Sequence, residues 1–130
     1  MERIELKYQD LVKSLDTLAQ AMKQPESVLV RDSAIKRFEL TYEVLWKYLQ
    51  ISMREKRAIQ ILNPVAAFRE LLSQNLSSAQ EVESFLEMAK TRNLTVHTYD
   101  ESLAAEVYRK IPGYYDLMKK VSAKISPDQA

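Results

Sequence analysis

The chain has 130 residues, with 19 Lys and Arg against 18 Asp and Glu and a net charge of +1. That length suits one domain, and the near-neutral balance excludes nucleic-acid binding through bulk charge, leaving a local basic patch as the only electrostatic route. With no cysteine and one glycine, disulfides, thiolate metal sites, cysteine nucleophiles and glycine-rich phosphate loops are all excluded, and a reducing, cytoplasmic setting is expected.

Ile4, Tyr8, Leu11, Leu15, Leu18 and Met22 recur at alternating spacings of four and three, which predicts a first helix with one apolar stripe. Pro25 stops it, because the residue before a proline is pushed out of the α region. A second helix is predicted from about Ser27 or Asp32 to about Leu49. Its inner stripe is Ile35, Phe38, Tyr42, Leu45 and Leu49, with Trp46 beside them, and at that spacing the aromatics are bundle packing rather than a platform for bases. From Ile51 to Leu62 the chain is basic and its helix–loop boundary is open. Arg54, Lys56 and Arg57 cluster there as candidate contacts to RNA phosphates, although a solvated turn accounts for them more simply.

Asn63-Pro64 predicts a helix start, since Asn caps and Pro is preset for the first helical position; Val65, Phe68, Leu71 and Leu72 follow. Ser78 and Glu81 have capping-box spacing and open a helix through Val82, Phe85, Leu86 and Ala89. Asp100 is the expected N-cap of a helix through Leu103, Val107 and Ile111 that Pro112-Gly113 ends, leaving Tyr114 to Ile125 as a last short helix. The fold class expected is all-α, an up-and-down bundle of four to five helices in a single domain over 1–125, with 126–130 as a frayed tail. The opening MERIELKYQD has no apolar signal region, and no apolar run reaches the roughly 20 residues of a membrane span.

Residues 92–100, RNLTVHTYD, break the helical pattern. Two threonines and a valine crowd χ1 in a helix, so the helix from Ser78 is expected to end or distort there. The chain's only histidine falls in this junction with Arg92, Asn93 and Tyr99. On an ideal helix Arg92 and His97 would lie about 140° apart, so they could share a substrate only from a distorted junction or across a dimer axis. A lone histidine near a helix end more often caps carbonyls or fills a gap than catalyses, and a tyrosine such as Tyr99 more often packs at a rim.

The residue types nevertheless permit a specific chemistry. A histidine of near-neutral pKa can act as general base on a ribose 2′-hydroxyl. An arginine can grip a phosphate bidentately and offset charge developing on its oxygens, and Asn93 could orient either group. Together these describe a metal-independent RNA phosphodiesterase with no cofactor. One His, no Cys and no His-Glu-x-x-His pair argue against a catalytic metal held by protein ligands, and a serine hydrolase would need a glycine-lined nucleophile elbow that is missing.

Arg92-Asn93-Leu94-Thr95-Val96-His97-Thr98-Tyr99 resembles the Arg-x4-His-x-Tyr signature of HepT-type HEPN proteins, a group also described as substrate-binding subunits of small nucleotidyltransferases. The stretch from Arg31 to Leu49, RDSAIKRFELTYEVLWKYL, resembles the family's other recurring segment, an Arg-Asp lead followed by Arg-Phe-Glu and an aromatic-Glu-x-x-Trp-Lys run. The similarity spans roughly residues 2–111. It implies a helical bundle that forms a homodimer with the two Arg/His motifs in one basic cleft. It also implies an endoribonuclease toxin acting on RNA, tRNA among the candidates, and paired with a minimal nucleotidyltransferase antitoxin of the MntA type. By motif position Arg92 and His97 would be catalytic, Asn93 would support them, and Tyr99 would be blocked by AMP, which adds charge and bulk at the RNA entrance. The competing expectation is a non-catalytic substrate-binding subunit of a two-component nucleotidyltransferase.

Overall fold

A computed structural model describes residues 2–128, all helices and connections among them. The order is α1 (Arg3–Met22), α2 (Val28–Arg57), α3 (Pro64–Ser73), α4 (Ala79–Leu94), a single 3-10 turn over Thr95–His97, and α5 (Glu101–Lys124). α2 is the central rod, packed along α1 and touching α3 and α5; α3 pairs with α4, and α5 closes the bundle against α1 and α4.

Local capping sets where the helices begin. The Ser27 hydroxyl accepts from the Val30 N–H at 3.1 Å, and Asn63 Oδ1 accepts from the Ala66 N–H at 2.9 Å. Ser78 and Glu81 form a reciprocal capping box, and Asp100 Oδ1 accepts from the N–H groups of Ser102 and Leu103. Each cap satisfies donors that the first helical turn leaves without partners.

The core is built on the inner face of α2. Phe38, Tyr42, Leu45, Tyr48 and Leu49 are all buried. Phe68 of α3 stacks on Phe85 of α4 with centroids 4.9 Å apart, Tyr42 meets Phe68 edge-on, and Phe38 stacks on Tyr114 of α5. Such aromatic contacts carry large buried areas and favour these offset and edge geometries. Polar bonds tie the helices in register. Thr41 Oγ1 donates to the Ser14 carbonyl of α1, and Arg37 Nη1 donates to that of Thr17. The Tyr8 and Tyr48 hydroxyls donate to the Ser122 and Ile125 carbonyls at the far end of α5.

Two expectations about boundaries need correction. α2 does not stop near Leu49 but continues through the basic segment to Arg57, so Arg54, Lys56 and Arg57 form the last turn of a helix rather than a solvated turn. Ile51, Ser52 and Met53 are buried, and three cations at a helix C-terminus complement its dipole. The helix then ends in a left-handed cap, with the Ala58 N–H bonded to the Arg54 carbonyl and Ala58 at φ 56°, a position usually held by glycine.

The second correction concerns Pro112-Gly113, which does not end a helix. α5 runs through it as one helix, so there is no separate short helix from Tyr114. Pro112 and Gly113 lie on the exposed side, while Val107, Ile111, Tyr114, Met118 and Val121 are buried. A proline inside a helix costs about 3 kcal/mol, and burial of each large apolar side chain contributes about 1.5–3 kcal/mol, so the buried stripe outweighs the break. Beyond α5, Lys56 Nζ donates to the Pro127 carbonyl; Gln129 and Ala130 of the expected tail lie outside the described residues. No helix among the described residues is long and apolar enough to cross a membrane.

Candidate functional site

The segment singled out in the sequence is a junction between two helices. α4 ends at Leu94, the chain tightens into the 3-10 turn Thr95–His97, and α5 starts at Glu101. The threonines that disfavour helix here bond backbone carbonyls: Thr95 Oγ1 donates to the Arg92 carbonyl at 2.7 Å and Thr98 Oγ1 to that of Thr95 at 2.9 Å. Their hydroxyls offer the backbone an alternative to further helix. The Asp100 N–H donates to the His97 carbonyl at 3.0 Å and closes the turn.

The junction divides the motif between two environments. Arg92, in the last turn of α4, points at α2. Its side chain is 23% exposed, and Nη2 lies 3.9 Å from both Glu39 Oε2 and Glu43 Oε1. Nη1 donates to Thr95 Oγ1 at 3.1 Å, whereas Nε is buried without a hydrogen-bond partner. Glu43 also accepts from Trp46 Nε1 at 3.0 Å and lies 3.9 Å from Lys47 Nζ. Behind this cluster the Tyr42 phenol is pushed up to about 12, chiefly by burial and then by the Glu43 charge, with Arg92 opposing.

His97 and Tyr99 point outward instead. His97 Nδ1 is 3.2 Å from the Tyr99 hydroxyl, the rings meet edge to face, and Tyr99 is 81% exposed. Asn93 is exposed beside Arg92. Among the described hydrogen bonds and ion pairs, none joins His97 to Arg92 or to Asn93 within the protomer. A groove of about 530 Å³ between α4 and α5, lined by Ser84, Lys110, Leu117 and their neighbours, contains none of the motif's residues.

The basic cluster lies elsewhere. Arg54 is 11 residues beyond Glu43 on α2, which at the α-helical rise is about 16 Å along the axis. Arg57 Nη1 donates to Gln74 Oε1 at 2.7 Å, fastening the end of α2 to the end of α3, while Lys56 is bonded to Pro127. Among the described residues there is no group of three or more His, Asp and Glu side chains that could hold a metal.

Sequence reasoning missed Glu39, Glu43, Arg31 and Glu101. Glu39 and Glu43 are spaced to share one helical face, and the Arg-Phe-Glu and Glu-x-x-Trp-Lys segments contain both; that pairing was the available signal. Arg31 Nη1 bonds Glu101 Oε2 at 2.8 Å, joining the start of α2 to the start of α5. Hydrogen bonding to Arg31 holds the Glu101 carboxyl below its usual range.

Comparison with known proteins places this architecture. No curated protein matches the chain. A crystal structure of a protein from Thermus thermophilus superposes with a TM-score of 0.84 at 38% identity, covering 88% of this chain and 98% of that one. The model of the nucleotidyltransferase substrate binding protein like family matches residues 6–127. With α2, the 92–99 junction and α5 all inside that span, the chain belongs to the nucleotidyltransferase substrate binding protein like family, the HepT-type HEPN group whose signature residues 92–99 resemble.

Proposed function

We propose that the chain is a metal-independent endoribonuclease of a toxin–antitoxin pair, acting as a homodimer and silenced when a minimal nucleotidyltransferase adds AMP to Tyr99. The observation that carries this reading is the 3.2 Å contact between His97 Nδ1 and the exposed Tyr99 hydroxyl. It puts the only imidazole in direct contact with the group to be modified. His97 takes the proton of a ribose 2′-hydroxyl as the 2′-oxygen bonds to phosphorus. The bond from phosphorus to the 5′-oxygen breaks, and that oxygen leaves with a proton from solvent. The products are a 2′,3′-cyclic phosphate and a 5′-hydroxyl.

Arg92 is the partner for the phosphate. Its Nη2 contacts to Glu39 and Glu43, at 3.9 Å, are longer than hydrogen bonds, so that end of the fork retains donors for an anion. Asn93, exposed beside it, supports the same phosphate. Modification transfers the α-phosphorus of ATP to Tyr99 Oη with release of pyrophosphate and the phenolic proton. The resulting ester places bulk beside His97 and negative charge where RNA phosphates must approach.

A second reading, a non-catalytic substrate-binding subunit of a two-component nucleotidyltransferase, is favoured by the separation of Arg92 from His97 within the protomer. Incubating a purified tRNA pool with wild type, Arg92→Ala and His97→Ala in excess EDTA decides between them. Cleavage by wild type alone, leaving 2′,3′-cyclic ends, supports the ribonuclease. Intact tRNA in all three reactions supports the binding subunit.

A further inference from the structure

We propose that Arg31 is a positioning residue for the His97–Tyr99 turn, acting through Glu101 at the start of α5; as a contribution to catalysis, this rests on the ribonuclease reading above. Arg31 sits in the first turn of α2, where a cation opposes the helix dipole, so its own helix gives no reason for its placement. Its side chain is nonetheless only 11% exposed, and Nη1 donates to Glu101 Oε2 at 2.8 Å. Its Nε lies 3.5 Å from Asp32 Oδ1 and has no hydrogen-bond partner, so Glu101 is the anchor.

Glu101 lies two residues beyond Tyr99. The preceding residue, Asp100, caps α5 with its side chain and donates its own N–H to the His97 carbonyl. The path from Arg31 to His97 is therefore one charge-assisted bond, one peptide step and one backbone hydrogen bond. His97 and Tyr99 bond each other, Thr98 bonds Thr95, and Asp100 bonds its own helix start. Among the described residues, the Glu101 side chain alone carries a polar contact from the 97–101 segment to α2.

Stability does not account for the pair. The Glu101 side chain is 73% exposed, and ion pairs with so exposed a member add little to folding. A charge-assisted bond of fixed geometry does restrict where α5 begins relative to α2. It thereby restrains the Asp100 N–H that bonds the His97 carbonyl, and with it the backbone that brings the His97 and Tyr99 rings together.

The test uses the full chain and the fact that it holds one histidine, so imidazole NMR signals are assigned without ambiguity. Arg31→Ala, Glu101→Ala and Glu101→Gln are compared with wild type for tRNA cleavage and for the nuclear Overhauser effect between the His97 and Tyr99 rings. Both alanine variants should lose about 10- to 100-fold in kcat with KM changed less than about twofold, since slight misplacement of a reacting group costs that much, and the ring-to-ring signal should disappear. Glu101→Gln, whose amide oxygen still accepts from Arg31, should keep that signal and most of kcat. Unchanged kcat and an unchanged ring-to-ring signal in both alanine variants would overturn the proposal. If wild type itself cleaves nothing, the ribonuclease reading fails and the ring signal alone decides the positioning role. Should Arg31→Ala fail to fold, Glu101→Ala, at its exposed position, carries the same decision.

Discussion

His97 Nδ1 and the Tyr99 hydroxyl meet at 3.2 Å although the two residues are only two apart in the chain. Side chains at that spacing do not face each other on an α-helix; they meet here because α4 gives way to a 3-10 turn and then to a non-helical Tyr99. Thr95 and Thr98, by bonding carbonyls of the preceding turn, make the contact possible.

Tyr99→Phe keeps the ring and removes the hydroxyl. At an exposed position it should change folding stability by less than about 0.5 kcal/mol. Cleavage of tRNA should persist, while incorporation of label from α-labelled ATP in the presence of the nucleotidyltransferase should vanish. Full incorporation in the variant would move the modification to another of the seven tyrosines.

Arg92 and His97 should separate under mutation because their surroundings differ. His97→Ala removes an exposed ring and should leave the melting temperature near wild type, while cleavage falls by about 10²–10⁴. Arg92→Lys keeps a cation opposite Glu39 and Glu43 but loses the planar fork, so it should fold normally and still cleave poorly. Arg92→Ala leaves Glu39 without the cation facing it and Glu43 with Lys47 alone, and should cost about 1 kcal/mol in urea unfolding. Equal stability of Arg92→Ala and wild type would mean that the Glu39 and Glu43 contacts are too loose to matter.

What the sequence made legible was local. Ser27, Asn63-Pro64, the Ser78–Glu81 box and Asp100 all start helices where their residue types predict, because a cap is decided within about four residues. The break after Arg92 was legible for the same reason. The length of α2 was not, since burial of Ile51 and Met53 depends on partners far along the chain, and Ala58 fills a left-handed position without the glycine that would have marked it. The carboxylates facing Arg92 lie about fifty residues earlier in the chain, and no local rule pairs them. Their spacing placed Glu39 and Glu43 on one face but did not say what that face would meet.

The acid limb of stability should depend on Glu81. The Lys120 ammonium at 2.8 Å, followed by the Ser78 N–H, holds its carboxyl at about 2 instead of the usual 4.5. A carboxyl depressed in the folded state stabilises it fully above the unfolded value, and that contribution is lost as pH falls from about 4.5 through about 2. Glu81→Gln should therefore flatten the fall in melting temperature across that window. Ser78→Ala, which removes the other half of the box, should cost about 1 kcal/mol at neutral pH. Parallel acid limbs for wild type and Glu81→Gln would show that this carboxyl carries none of the dependence.

Pro112 offers the clearest contest between a local rule and tertiary packing. Lacking an N–H, it cannot bond the Tyr108 carbonyl one turn earlier, and its ring crowds that carbonyl. Pro112 is exposed, so water can reach the freed oxygen, while Ile111 and Tyr114 on either side are buried and hold the helix continuous. Pro112→Ala should restore the missing bond and raise stability by about 2 kcal/mol, the helical penalty of proline less the entropy it removes from the unfolded chain. Gly113 makes the neighbouring position a useful control. A side chain built there meets nothing within 4 Å, so Gly113→Ala should add about 1 kcal/mol through helix propensity alone. Urea unfolding of the two single variants and the double then tells whether the helix merely tolerates the proline. Stabilisation by Gly113→Ala with destabilisation by Pro112→Ala would mean that the proline's bend is needed to seat Ile111 and Tyr114 together against the core.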